Sequence, residues 1–159
     1  MSENKLLAIY MNDHLAGSIA GGELAKRSAK SNEGTPLGTF LDRLADELAE
    51  DRSSLEDLMD QLGISKSGVK SAGAWLAEKA GRLKFNGQLT GYSDLSRLEE
   101  LEGLSLGVEG KLSLWRALKQ IRDDYPALQS ADLEGLIERA QTQSRELEEF
   151  RRTAVETAF

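Results

Sequence analysis

The chain has 159 residues, 30% of them charged and 40% hydrophobic, and 27 acidic against 20 basic side chains give a net charge of -7. That surplus of acid disfavours a phosphate backbone as partner, so nucleic acid is not expected. Cysteine is absent, which excludes disulfides, thiolate metal sites and cysteine nucleophiles.

The first residues carry Glu3 where a signal peptide wants positive charge, and the apolar run after it breaks at Asn12-Asp13-His14. No apolar stretch approaches the roughly 18 to 20 residues that span a bilayer. A cytoplasmic protein without membrane insertion is expected.

Residues 1–159 read as a single all-α domain. A first helix over about 4–28 presents Leu7, Tyr10, Met11, His14, Ile19, Leu24 and Ala25. Gly17, Gly21 and Gly22 thin its middle, and close approach of another backbone is the expected compensation. Ser31-Asn32-Glu33-Gly34 is a turn, after which Thr35 and Pro36 serve as N-cap and first residue of a second helix over 36–62. Gly63 can take the left-handed C-cap conformation and Ile64 can fold back onto the last turn.

A crossover follows, with a short helix over 66–84 whose apolar stripe is Val69, Ala72, Trp75, Leu76, Ala80 and Leu83. Ser93 caps a third long helix over 94–124, stopped by Tyr125-Pro126. Ser130, with Asp132 in the first turn, starts a fourth over 131–157, carried by Leu133, Leu136, Ile137, Ala140, Leu147, Phe150 and Ala154. Two antiparallel hairpins joined by a long crossover make a four-helix bundle.

The second helix holds the most informative residue. Leu37, Leu41, Leu44, Leu48, Leu55, Leu58 and Leu62 follow a seam of three- and four-residue steps, and Asp51 stands where a leucine should. A carboxylate among leucines needs a partner. His14, Ser105 and Gln143 lie near the centres of the other helices, so a polar layer of His14, Asp51, Ser105 and Gln143 is expected, with imidazole as the partner of Asp51. Such layers serve more often to fix register than to perform chemistry.

Two hairpins, a long crossover and inward-facing polar residues at mid-helix resemble the ferritin-like superfamily. Its metal-binding members take a glutamate from each of two helices and a Glu-x-x-His pair from each of the other two. This chain departs from that pattern. Glu47-Leu48-Ala49-Glu50, Glu138-Arg139-Ala140-Gln141 and Gln143-Ser144-Arg145-Glu146 all lack the imidazole, Glu109 neighbours the seam position Val108, and His14 is the one histidine. The resemblance therefore implies the scaffold and not ferroxidase, oxygenase or iron-storage activity.

No Ser-His-Asp relay or nucleophile elbow is present, and Gly103, Gly107 and Gly110 match no phosphate-binding fingerprint. Close helix contact accounts for those glycines better. Lys66, Lys70, Lys79, Arg82 and Lys84 surround Trp75 in the crossover, where packing on the bundle is a better account than an anionic partner. The expected function is that of a non-catalytic bundle, an interaction or stress-associated protein without catalytic residues or cofactor, with a homodimer or another protein as partner. The alternative is a metal-binding protein or metal-dependent oxidoreductase holding one iron, manganese or zinc ion through His14, Asp51 and Glu47.

Overall fold

Helices begin where a side-chain oxygen can take an orphan backbone amide, and the described residues supply three such starts. The computed structural model describes residues 3–70, 72–74, 78 and 91–159. Among these, four long helices stand out: α1 (Glu3–Ser31), α2 (Pro36–Gln61), α3 (Asp94–Gln120) and α4 (Leu133–Ala158). Thr35 Oγ1 accepts from the Gly38 amide at 3.0 Å, Ser93 Oγ from Ser96 at 3.1 Å and Asp132 Oδ1 from Gly135 at 3.0 Å. Asp132 is thus the cap of α4, and Ser130 belongs to the turn before it.

The helix stops are equally local. Gly63 takes a φ of 67°, and the Ile64 amide returns to the Met59 carbonyl at 2.8 Å, closing α2. The third helix ends at Gln120, short of the expected 124. A 3₁₀ turn (Arg122–Asp124) and one helical turn (Pro126–Gln129) lead instead into α4. The described residues are all-α and contain no strand. None of their helices is long and apolar enough to cross a membrane.

The four helices share one apolar core, with Met11, Leu15, Leu41, Leu44, Leu104 and Trp115 buried in it. α1 pairs with α2 and α3 with α4, while α1 and α3 join the two hairpins. The last pairing is antiparallel, because Ser28 near the end of α1 donates to Glu100 near the start of α3. Of the neighbouring helix pairs, α2 and α4 have the widest backbone separation, and longer side chains bridge them. Phe40 stacks on Phe150 with ring centres 4.9 Å apart, and Arg43 reaches Glu146.

Two carboxamides, half-buried Asn12 and buried Asn32, tie the connection between hairpins to α1. Asn12 donates to the Ser65 carbonyl at 2.8 Å and accepts from the Gly68 amide at 2.7 Å. At the opposite end Asn32 donates to Tyr92 Oη at 2.9 Å and accepts from Arg97 Nε at 2.8 Å. The chain between α2 and α3 therefore joins opposite ends of the bundle. Residues 68–70, 72–74 and 78 are helical, Ala72 is buried and Val69 is half exposed rather than on a packed stripe. Lys66 pairs with Asp60 at 2.8 Å. Trp75, Leu76, Lys79, Ala80, Arg82, Leu83 and Lys84 lie outside the described residues.

Close backbone approach, expected at the mid-helix glycines, occurs elsewhere. A methyl group at Gly38 would strike the Asn32 carbonyl, and one at Gly68 would strike that of Asn12. At Gly17, Gly21, Gly22, Gly107 and Gly110 it would meet nothing within 4 Å. Helical glycine without a packing neighbour costs about 1 kcal/mol relative to alanine. Gly21→Ala and Gly107→Ala should therefore each stabilise the fold by about 1 kcal/mol, or about 2–4 °C in Tm. Gly38→Ala and Gly68→Ala should lower Tm; thermal melts followed by circular dichroism distinguish the two groups, and destabilisation at Gly107 would contradict the open space.

Candidate functional site

The seam residue Asp51 is inside the bundle, its side chain 3% exposed. Lys111 of α3 donates to Asp51 Oδ2 at 2.5 Å, and Arg139 of α4 grips Oδ1 with Nε at 3.0 Å and Nη2 at 2.9 Å. Lys111 also donates to the side-chain oxygen of Gln143, which is buried on α4. Gln143 Nε2 in turn donates to Glu47 Oε2 at 2.8 Å, and Arg139 Nη1 to Glu50 Oε2 at 2.8 Å. The result is a connected cluster of three carboxylates, two cations and one amide drawn from three helices.

Three members of the cluster, Asp51, Lys111 and Gln143, stand at seam positions of their helices. Leu104, Val108, Lys111, Trp115 and Leu118 follow the same steps of three and four residues that carry Asp51 between Leu48 and Leu55. Leu136, Ala140, Gln143 and Leu147 repeat them on α4. Lys111 therefore occupies a seam position on α3 just as Asp51 does on α2. Burial pushes the Lys111 ammonium below the usual lysine range, with Asp51 pulling the other way. Held between a carboxylate and an amide oxygen, the ammonium acts as a hydrogen-bond donor.

The expected partner of Asp51 was His14, and the structure assigns Lys111 and Arg139 instead. The reason is the phase of α1. Its buried line runs through Met11, Leu15, Ala25 and Ala29, with Ser18 and Gly22 at the intermediate steps, so His14 falls one position off the seam. His14 packs edge-on against Tyr10 with ring centres 4.6 Å apart. Burial holds its imidazole below the usual value, opposed by the charge of Asp13. Ser105 also leaves the expected layer, its hydroxyl turned back to the Leu101 carbonyl at 2.9 Å. Of the expected layer, Asp51 and Gln143 are joined through Lys111.

The alternative ligand set His14, Asp51 and Glu47 is not gathered into one shell. Among the described residues no group of three or more histidine or acidic side chains is placed to hold a metal ion. Glu47 accepts from Gln143 and from Arg43 Nη1, the latter at 3.1 Å. A cation at Asp51 would have to displace an ammonium already in place.

One further feature adjoins the cluster. A cavity of about 180 Å³ lies between α1 and α3, bordered by His14, Gly21, Asp51, Gly107, Lys111 and Trp115 among others. Trp115 is 1% exposed, and its indole N–H meets no acceptor among the described residues. Comparison with known proteins yields no match, whether to a family model, a curated protein or a solved structure.

Removing one partner of a buried pair typically costs about 3–5 kcal/mol, because the other is left uncompensated. Lys111→Met should fall near the lower end, about 3 kcal/mol, since Arg139 still holds Asp51. Asp51→Leu combined with Lys111→Met should be more stable than Lys111→Met alone in urea unfolding; strict additivity of the two losses would show that the residues are not coupled.

His14 gives a second test. Its folded-state pKa is lowered, so the unfolded chain binds the proton more tightly and stability rises with pH below about 6.5. Tm should fall on acidification from about pH 7.5 to 5, and His14→Gln should remove part of that fall. An identical pH profile in the variant would show that the imidazole is not held neutral by the fold.

Proposed function

We propose that the chain is a non-catalytic helical scaffold of ferritin-like arrangement, in which an internal ammonium takes the central position that a metal ion holds in metal-binding bundles. The observation that carries this reading is Lys111 Nζ at 2.5 Å from Asp51 Oδ2, with Gln143 as its second acceptor. Glu47 and Glu50, the neighbouring carboxylates, are turned to Gln143 and Arg139. An ammonium supplies the positive charge that neutralises Asp51 without the open coordination position on which metal catalysis depends. The cluster is thus suited to specifying how three helices align.

The reading places the protein in the cytoplasm, with a second copy of the chain as partner. Leu6, Ile9, Leu95 and Leu106, all about half exposed or more, supply apolar area for that contact. Metal analysis of protein purified without an affinity tag should give iron, manganese and zinc well below one ion per chain. Stoichiometric metal that disappears in Asp51→Asn would overturn the proposal in favour of the metal-binding alternative.

A further inference from the structure

The cavity beside the ion cluster is left open by the residues that border it. It exists because α1 and α3 present glycine to each other at mid-height, and at Gly17, Gly21, Gly107 and Gly110 no atom stands within 4 Å of a built methyl group. Helices that needed those glycines for contact would show a neighbouring backbone there, as Gly38 and Gly68 do. Gly17 and Gly107 are exposed, so the glycines open the cavity towards solvent. Leu48, Leu55, Leu104 and Val108 give it an apolar wall.

Two donors on successive turns of α3 border this space. Trp115 is fully buried with its indole N–H unmatched among the described residues. Lys111 uses two of its three N–H bonds, on Asp51 and Gln143. A buried donor without an acceptor is rare and costly, so a wall that holds the Trp115 indole N–H fits a ligand able to accept.

Size and charge narrow the class. A volume of about 180 Å³ is comparable to the roughly 150 Å³ apolar cavity known to admit benzene. Asp51 is already balanced by Lys111 and Arg139, and Arg52 is paired with Glu56 at 3.4 Å, so an anionic ligand would face the Asp51 carboxylate with each neighbouring cation already matched. A cationic ligand would meet Lys111 and Arg52, which also border the space.

We propose that the cleft between α1 and α3 binds one uncharged, ring-sized molecule carrying a single acceptor oxygen, which takes its hydrogen bond from Trp115 or Lys111. With Trp115 as donor this site is independent of the scaffold reading, whereas with Lys111 as donor it shares the ammonium on which that reading rests.

Titration calorimetry on the full chain with acetophenone, ethylbenzene and benzoate tests it. Acetophenone should bind one per chain, about tenfold more tightly than ethylbenzene, the worth of one buried hydrogen bond. Benzoate should bind more weakly than acetophenone. Leucine at Gly21 or, separately, at Gly107 should abolish acetophenone binding while leaving the helical spectrum intact. Trp115→Phe and Lys111→Met, whichever stays folded, identify the donor by erasing the preference over ethylbenzene. Absence of binding by all three probes, equal affinity for acetophenone and ethylbenzene, tighter binding of benzoate, or undiminished binding in both leucine variants would each overturn the proposal.

Discussion

A carboxylate and an ammonium seated among leucines govern how this bundle can assemble. Bringing Asp51 and Lys111 out of water is unfavourable for each alone, and the loss is offset only when they meet with their remaining hydrogen-bonding capacity satisfied. Sliding α2 by one turn along α3 would set Leu48 or Leu55 opposite Lys111 and leave two buried charges uncompensated. Arg139 and Gln143 extend the same condition to α4. Three helices are thus held in register by one contact network, whereas leucine on leucine would tolerate several alignments.

The two long sides of the bundle differ in chemistry. Between α2 and α4 the bridging groups are long and charged or aromatic: Phe40 on Phe150, Arg43 with Glu146, Glu47 with Gln143, Asp51 with Arg139. These reach across a wider backbone separation. Between α1 and α3 the mid-height residues include Gly17, Gly21, Gly107 and Gly110, whose missing side chains leave the gap unfilled. One side therefore spends side-chain length on alignment, and the other leaves volume.

Much of the fold was legible because helix signals are local. Thr35-Pro36, Ser93 and Gly63 act through neighbours a few residues away, and the structure finds all three in their expected roles. Asp51 was equally legible as an interruption of a leucine seam. Its partner was less so, because His14 follows Leu7 and Met11 by steps of four and three just as Lys111 stands at such steps from Val108 and Trp115, and only the buried line through Met11, Leu15 and Ala25 puts the histidine off the seam. Arg139 was harder to foresee, since it sits beside Ala140 and reaches in from the flank by its length. The cavity was not legible at all, because glycine in a helix reads alike whether another backbone or empty space faces it.

Asn12 and Asn32 stand twenty positions apart on and just beyond α1, which is about 30 Å of helix rise. Each carboxamide holds one margin of the link between hairpins, so the first helix works as a ruler for that link. A chain running from Gly68 to Tyr92 covers the interval in helical as well as extended form, whereas one of half that length could do so only when stretched. The order of the hairpins is in this sense measured off on a single rod: changing the spacing of the two asparagines would alter where the second hairpin begins, with every leucine of the core unchanged.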